Sequence, residues 1–173
     1  ADFARPEHNE MLQQFVDDIA AVTVHGQVVP VKLRRHESLF VPMAKCSMLL
    51  TGNYRCVLTN GEQPIRDAVH GDLNASMAMY AWVDQLAQTL GADPADQVPF
   101  EKYANAAEGL LKPSSAARAI AAGATKIERV DMLVRTIGAQ MGMQNDTVDN
   151  IVSRVDGRLM ANGAKEAELE RAG

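Results

Sequence analysis

The amino-acid sequence predicts an all-α, multi-helix bundle, and three observations support this fold class. Apolar residues recur at the three- and four-residue spacings of amphipathic helices along most of the 173 residues. Glycine and proline separate these stretches at short intervals, as they do at the ends of helices. The sustained apolar and polar alternation that indicates strands is missing. With 47% hydrophobic residues, the chain is long enough to bury an ordinary core.

The N-terminal part predicts one helix followed by one extended segment. Pro6 suits the first turn of a helix, and His25 with Gly26 marks its end. A single apolar stripe lies between them and consists of Leu12, Phe15, Ile19 and Val22. Residues 27–33 are rich in β-branched side chains but contain Pro30, so they suit an edge strand or an extended connector. This is the only plausible strand of the chain.

Residues 36–58 form a longer apolar stretch, and they predict the most buried helix. Pro42 is expected to kink or shorten its start, and the Gly-Asn pair at 52–53 to interrupt it near its end. A turn is expected at residues 59–62, because Asn-Gly tolerates positive φ, and a short helix follows at residues 64–69.

Three more helices are expected before residue 124. Asp72 can cap the first, which ends at Gly91 and has an apolar face made of Met79, Val83, Leu86 and Leu90, with Trp82 beside it. Pro99 opens the second, which extends to about Leu111. The third is short and Ala-rich, and it ends at Gly123.

The C-terminal part predicts two amphipathic helices and a tail. Thr125 begins the most clearly amphipathic helix of the chain, which ends at Gly142. Asp146 or Thr147 is expected to cap the last helix. The charged, Ala-rich tail from Asn162 is expected to fray into solvent.

Composition excludes some classes of partner. The 17 Lys and Arg residues are scattered and outnumbered by 22 Asp and Glu residues, which argues against binding to nucleic acid. No apolar run approaches the roughly 20 residues that span a bilayer, and the N-terminus lacks a signal-peptide pattern. The sequence therefore predicts a soluble cytoplasmic protein, or a piece of one, with no membrane partner.

The cysteines and histidines do not form a recognisable metal site. Cys46 and Cys56 lie ten residues apart outside any CxxC motif, and we expect them to be reduced core thiols. The histidines are dispersed without metal-ligand spacing, at positions His8, His25, His36 and His70. No metal site is expected.

Lys45 is the one residue whose setting suggests chemistry. It lies inside the apolar segment FVPMAKCSMLL, where a cation must be desolvated, extend to an edge, or point into a cleft. A lysine at the rim of a helix face is the simpler interpretation. No glycine-rich phosphate loop or nucleophile motif is present elsewhere in the sequence.

Seven elements follow one another in an order that is typical of a known family. They are Lys45, Asn60-Gly61-Glu62, the helix to Leu90-Gly91, Ser114-Ser115, the turn at 120–123, Thr125-Lys126-Ile127, and Met141-Gly142-Met143 with the helix after it. This order resembles the C-terminal helical domain of the ketopantoate reductase (2-dehydropantoate 2-reductase) family. The resemblance covers about residues 36–160.

The resemblance implies a fold like the 6-phosphogluconate dehydrogenase C-terminal domain, a homodimer, and NADP as cofactor of a longer parent protein. Lys45 is similar in position to the family's catalytic lysine, which polarises or protonates a ketone oxygen while the nicotinamide delivers hydride. Asn60 matches the asparagine that contacts the substrate. Ser115 matches the serine that contacts the substrate carboxylate, and its neighbour Ser114 is a further candidate substrate-binding residue.

The chain departs from the family at three pocket positions. An acidic residue of the family falls on Lys126, one asparagine falls on Lys112, and another falls on Leu49. Lys112 and Lys126 are thus candidate substrate-binding residues that favour a more anionic 2-oxo acid than ketopantoate. Glu128, two residues after Lys126 on the expected helix, should face another way.

The family's N-terminal Rossmann domain has no counterpart in this sequence. Residues 7–33 would at most be its last helix and strand, so residues 1–35 are interpreted as a remnant. Residues 36–161 are then the substrate-binding and dimerisation domain, and residues 162–173 the tail. The chain alone is expected to bind no NADP and to be inactive without the missing Rossmann domain.

Two function classes therefore remain open from the sequence. The first is the helical substrate domain of a divergent NADP-dependent reductase of a small 2-oxo acid. The alternative is a non-enzymatic helical interaction or dimerisation module with a degenerate active site, and an unrelated helical bundle would also fit the periodicity. The first class requires Lys45, Asn60 and Ser115 to converge on one cleft.

Overall fold

A computed structural model, which describes residues 3–35 and 40–172, confirms the all-α fold class for those residues. Beside the helices, it contains one short hairpin and a single bridge between Val57 and Glu62. The helices are α1 (Pro6–Ala21), α2 (Phe40–Met43), α3 (Lys45–Met48), α4 (Ile65–His70), α5 (Leu73–Thr89), α6 (Phe100–Ala107), α7 (Ser115–Ala121), α8 (Val130–Gln140) and α9 (Asp146–Ala172). The chain forms two compact units, Ala1–Val41 and Pro42–Gly173.

The first unit contains α1 and a hairpin that the sequence analysis missed. Helix α1 starts as predicted but ends at Ala21, because the chain then enters strand β1 (Thr23–Val24). This strand pairs antiparallel with β2 (Gln27–Val28), so the prediction of a single strand was wrong. The two residues between the strands, His25 and Gly26, have φ of 51° and 76°, the conformation of a tight hairpin turn.

The apolar stretch after the hairpin is helical but irregular. A π-helical turn (Leu49–Asn53) and a 3-10 turn (Tyr54–Cys56) follow α3 directly. The expected interruption near residue 52 is thus a change of helix type rather than a break. The predicted start at His36 lies outside the described residues.

Gly52 explains why the π-helical turn can be buried. A Cβ atom at this position would overlap the hydroxyl group of Tyr103, which donates a 3.1 Å hydrogen bond to the carbonyl oxygen of Met48. The glycine therefore permits the close approach of α6 to this turn. The segment is deeply buried, as predicted, at Ala44, Ser47, Leu50, Thr51, Gly52, Tyr54 and Cys56.

Two apolar clusters form the core of the second unit. The larger one joins the segment at residues 49–57 to α5, α7, α8 and α9, and includes Leu50, Tyr54, Met79, Val83, Leu86, Ile120, Val134, Ile151, Val152 and Val155. The smaller one contains Val69, Tyr80, Tyr103, Ala104 and Ala107. Most of these residues lie on the faces that helical periodicity predicts. Cys46 and Cys56 are free thiols, half-buried and buried respectively, as expected.

Local signals predicted several helix ends correctly. The carboxylate of Asp72 accepts a 2.9 Å hydrogen bond from the Ala75 amide and caps α5. Gly91 and Gly123 have positive φ just beyond α5 and α7. Asn145, rather than Asp146 or Thr147, caps α9, because its side chain accepts from the two amides at 147 and 148.

Two other helix ends differ from the predicted positions because of tertiary contacts. Helix α6 ends at Ala107, earlier than the predicted Leu111, because the carbonyl groups of Leu110 and Lys112 accept hydrogen bonds from the first residues of α4. The tail from Asn162 continues α9 to Ala172 instead of fraying. The Nδ2 atom of Asn162 donates hydrogen bonds to the carbonyl oxygens of Ile120 and Ala124, at 2.8 and 2.9 Å. No helix within the described ranges is long and apolar enough to cross a membrane.

A polar cluster lies between α3 and α5. The Ser47 side chain faces both Tyr80 and Asp84, and its hydroxyl donates to the Ala44 carbonyl oxygen at 2.7 Å. The Tyr80 hydroxyl and the Asp84 Oδ1 atom are buried without a hydrogen-bond partner among the described residues. Burial raises the pKa of Asp84 to about 6, and the Ser47 hydroxyl offsets part of that rise.

The Gly52 contact leads to a paired stability prediction. Gly52→Ala should lower the free energy of unfolding by about 1–3 kcal/mol, because the methyl group overlaps Tyr103 in a packed core. Gly157→Ala on α9 should raise it by about 0.5–1 kcal/mol, because open space surrounds its Cβ position and alanine favours helix. Urea unfolding of both variants measures the effects. Equal stabilities for the two would contradict the packing described here.

Asp84 should make the protein less stable as the pH rises. Its pKa in the folded protein, about 6, exceeds the ordinary value of 3.8, so the folded state holds the proton more tightly. The stabilisation is complete below pH 3.8 and is lost as the pH rises through about 6. Asp84→Asn should therefore raise the unfolding free energy at neutral pH by on the order of 1 kcal/mol.

Urea unfolding at acidic and neutral pH tests this expectation. The difference between Asp84→Asn and the wild type should appear at neutral pH and vanish in acid. Asp67→Asn, which changes an exposed carboxylate, is the matched control. A variant that gains no stability at neutral pH would show that the Asp84 carboxylate is adequately solvated.

Candidate functional site

The main candidate site consists of two adjacent cavities that share the lining residues Asn53 and Ser115. The two cavities are here called the lobes of the Asn53–Ser115 cleft. The first lobe, of about 390 Å³, lies between the π-helical turn, α7 and residues 126–130, and includes Leu49, Tyr54 and Lys126. The second lobe, of about 500 Å³, lies beside residues 109–114 and includes Lys112 and Arg118. Four of the five residues predicted to bind substrate therefore line the cleft: Ser114, Ser115, Lys112 and Lys126.

Ser114 and Ser115 have different roles. The Ser114 hydroxyl is buried, donates to the Asn53 carbonyl oxygen at 2.7 Å and accepts from the Ala117 amide at 3.1 Å. It caps α7 and attaches this helix to the π-helical turn, so its hydrogen-bonding capacity is used by the fold. The side chain of Ser115 is exposed in the cleft and has no hydrogen-bond partner among the described residues. Of the two, only Ser115 can bind a ligand without loss of a structural bond.

The wall of the first lobe, residues 126–129, is not helical, which corrects the prediction that a helix begins at Thr125. The Tyr54 hydroxyl donates to the Glu128 carbonyl oxygen at 2.7 Å and accepts from the Val130 amide at 2.9 Å. We call this pair of bonds the Tyr54 bridge. The bridge gives hydrogen-bond partners to the Glu128 carbonyl and the Val130 amide without a preceding helical turn, so α8 starts only at Val130.

The non-helical wall also corrects the expected orientation of Glu128. Three consecutive residues, Lys126, Ile127 and Glu128, all line the first lobe. The lobe thus contains one cation and one anion rather than the lone cation expected from the sequence.

An ion-pair network holds the other side of this wall. Arg129 donates through Nε and Nη2 to both carboxylate oxygens of Asp131, at 2.9 and 3.0 Å, and through Nη1 to Asp156 on α9. Asp131 is fully buried, so this bidentate pair is both well oriented and shielded from water. Its hydrogen bonds raise the pKa of Arg129 above the ordinary value. The network joins the start of α8 to α9.

Lys45 lies close in sequence to the cleft but does not line it. Its side chain is exposed at the start of α3, which excludes the desolvated state considered above. Leu49 follows it by four residues, one helical turn, and lines the first lobe. The catalytic role implied for Lys45 by the resemblance stays a prediction.

Asn60 lies outside the Asn53–Ser115 cleft. It lies in the turn that closes the Val57–Glu62 bridge, where Gly61 has φ of 88°. Arg158 on α9 donates to the carbonyl oxygens on either side of this turn, those of Leu58 and Gly61, at 2.9 and 2.7 Å. Asn60 does not line the Asn53–Ser115 cleft. The structure therefore groups Ser115 with Lys112 and Lys126, and not with Asn60 or Lys45. The expected convergence of Lys45, Asn60 and Ser115 on one cleft is not observed, and Asn53 is the asparagine that lies with Ser115.

Two residues of the cleft were not predicted from the sequence. Asn53 lines both lobes, and its spacing of four residues from Leu49, about one helical turn, was a signal that could have identified it. Arg118 follows Ser115 by three residues on α7 and adds a cation to the second lobe. The cleft thus offers two uncharged polar side chains surrounded by Lys112, Arg118 and Lys126, with Glu128 as the acidic neighbour.

The described residues offer little for a metal or a nucleophile. They contain no group of three His, Cys, Asp or Glu side chains that could hold a metal ion. Burial raises the pKa of both the Cys46 and the Cys56 thiols, so they stay protonated and unreactive at neutral pH. The chemistry available in the cleft is the binding and orientation of an anion by hydrogen bonds and positive charge.

The Tyr54 bridge predicts a difference between two buried tyrosines. Tyr54→Phe leaves the Val130 amide and the Glu128 carbonyl oxygen without this partner, and should lower the unfolding free energy by about 2–3 kcal/mol. Tyr80→Phe removes a buried hydroxyl that has no partner and should be neutral or stabilising. Urea unfolding checks both, and a Tyr54→Phe protein as stable as wild type would show that the bridge is dispensable.

No protein-family model, curated protein or solved structure matches the chain. The resemblance to the ketopantoate reductase family therefore stays a prediction from the order of sequence motifs.

Proposed function

We propose that this helical unit binds a small anionic 2-oxo acid in the Asn53–Ser115 cleft and serves as the substrate domain of an NADP-dependent reductase. The observation that carries the proposal is the meeting of Ser115 and Asn53 with Lys112, Arg118 and Lys126 around one two-lobed cavity. Their chemistry suits carboxylates, which accept hydrogen bonds from hydroxyl, amide, ammonium and guanidinium groups.

Charge distribution favours a substrate with two negative groups. One cation, Lys126, lies in the first lobe, and two, Lys112 and Arg118, lie in the second. A dicarboxylic 2-oxo acid could place one carboxylate in each lobe and its ketone near the shared residues Asn53 and Ser115. Glu128 in the first lobe leaves that lobe nearly neutral, so the carboxylate in the second lobe contributes more binding energy.

Lys45 is the residue that we propose as the proton donor. It lies one helical turn before Leu49, which lines the first lobe, and its side chain is exposed. An ammonium group beside a developing alkoxide stabilises negative charge and can donate a proton. The hydride would come from NADPH held by a nucleotide-binding domain, since the described residues form no phosphate-binding glycine loop.

A second function is favoured by a different observation. Helix α1 contains no buried residue, and it exposes Met11 and Phe15 to about half of their maximal areas. Such a face is typical of a surface that packs against another protein. The alternative is therefore a helical interaction module in which the departures at Leu49, Lys112 and Lys126 reflect a lost active site.

Binding measurements distinguish the two functions. In isothermal titration calorimetry, the chain should bind 2-oxoglutarate more tightly than the monoanion 2-oxoisovalerate. Arg118→Gln and Ser115→Ala should each weaken 2-oxoglutarate binding by roughly tenfold, because each removes a hydrogen bond to a charged group. Lys165→Gln, an exposed change on α9, should have no effect.

Lys45→Ala separates binding from catalysis. It should leave the affinity for 2-oxoglutarate unchanged, and in the complete gene product it should lower kcat of NADPH oxidation by roughly a hundredfold or more. Undiminished turnover would remove Lys45 from the mechanism. Absence of 2-oxo acid binding in the millimolar range would overturn the proposal and leave the interaction module as the better account.

A further inference from the structure

A second cavity, here called the Trp82 cavity, lies between α5, α8 and the start of α9. Its volume is about 460 Å³, within the range of small-molecule sites, and it shares no lining residue with the Asn53–Ser115 cleft. Trp82, Met143 and Val148 supply an apolar floor. Arg135 and Asp149 supply opposite charges at its border.

Packing fixes the position of the indole ring. A Cβ atom on Gly138 would lie 2.9 Å from Cη2 of Trp82 and 2.7 Å from the carbonyl oxygen of Met143. The glycine therefore allows both the ring and the chain after α8 to approach the helix backbone. The Met143 amide also donates to the Gly138 carbonyl oxygen at 2.8 Å. The floor of the cavity is thus preformed, which reduces the entropic cost of binding a ligand.

The two charges line the cavity without pairing. Arg135 is half-buried and Asp149 is exposed, and neither has a hydrogen bond or an ion pair with any described residue. The backbone amides at the start of α9 do not compete for an anion, because the Asn145 side chain occupies those of Thr147 and Val148. A half-buried guanidinium without a partner is costly, so an anion beside Arg135 would be stabilising.

We propose that the Trp82 cavity binds a free α-amino acid with an apolar, preferably aromatic, side chain. Its carboxylate pairs with Arg135, its ammonium group pairs with Asp149, and its side chain packs on Trp82 and Met143. Aromatic rings prefer offset or edge contacts with an indole, and thioether sulfur also packs well on aromatic rings. A carboxylate without an amine is repelled by Asp149, and an amine without a carboxylate is repelled by Arg135.

Trp82 itself reports on the cavity, because it is the only tryptophan of the chain. L-phenylalanine should cause a saturable change in its fluorescence, and calorimetry in parallel should give the same Kd. Phenylacetate and phenethylamine, which each lack one charged group, should bind at least roughly tenfold more weakly. Trp82 does not line the Asn53–Ser115 cleft, so its fluorescence change reports on the Trp82 cavity and not on the 2-oxo acid site.

Charge-neutral variants complete the test. Arg135→Gln and Asp149→Asn should each raise the Kd of L-phenylalanine by roughly tenfold. Arg171→Gln and Glu168→Gln, exposed positions near the end of α9, are matched controls that should leave it unchanged. Far-ultraviolet circular dichroism verifies that all four variants fold.

Two results would overturn the proposal. One is the lack of saturable binding of L-phenylalanine by both fluorescence and calorimetry. The other is equally tight binding of phenylacetate and L-phenylalanine together with no effect of Asp149→Asn. That result would show that the ligand's ammonium group makes no contact with Asp149. Sensitivity to both variants and to neither control is the result that supports an amino-acid site.

Discussion

The Tyr54 bridge is the interaction on which the candidate site depends. One hydroxyl group satisfies two backbone groups, the carbonyl of Glu128 and the amide of Val130, that lie 74 and 76 residues away in sequence. Because Tyr54 is 4% exposed, water cannot easily replace these bonds. The bridge therefore keeps residues 126–129 out of helix α8, and residues 126–128 line the cleft. The bidentate Arg129–Asp131 pair supports the same wall from the other side.

Several groups that could bind a ligand are used by the fold instead. The Ser114 hydroxyl caps α7 and holds the Asn53 carbonyl group, and Arg158 holds the turn that contains Asn60. These bonds position the backbone around the cleft. Ser115 and the surrounding cations remain available for a ligand. Residues whose side chains are hydrogen-bonded within the fold thus position the cleft, and neighbours without such bonds line it. A preorganised binding site requires this arrangement.

Local sequence signals predicted the helices and many of their ends because the responsible interactions are local. Asp72 bonds an amide three residues away, and Gly123 needs only its own positive φ. The predicted start of α8 was too early because Ile127 and Val130 fit a helical stripe. The two hydrogen bonds that keep the preceding segment out of the helix come from Tyr54, which is distant in sequence. The hairpin after α1 was missed because a histidine with positive φ, His25, has no strong sequence signal.

The candidate site was predictable only in part, for the same reason. Motif order identified Ser115, Lys112 and Lys126, which all line the Asn53–Ser115 cleft. Motif order could not identify Arg118 or Glu128 as lining residues, because their positions depend on the tertiary placement of α7 and of residues 126–129. Nor could it separate Ser114 from Ser115, since adjacent serines differ only in the bonds that the tertiary structure gives them.

The most direct test of the central claim is a map of backbone amide chemical shifts as 2-oxoglutarate is added to the isotope-labelled chain. If the wall held by Tyr54 forms an anion site, the largest shifts should occur at Asn53, Ser115 and residues 126–128. Shifts that are absent, or concentrated at the C-terminal end of α9, would contradict the claim that this cleft binds the ligand.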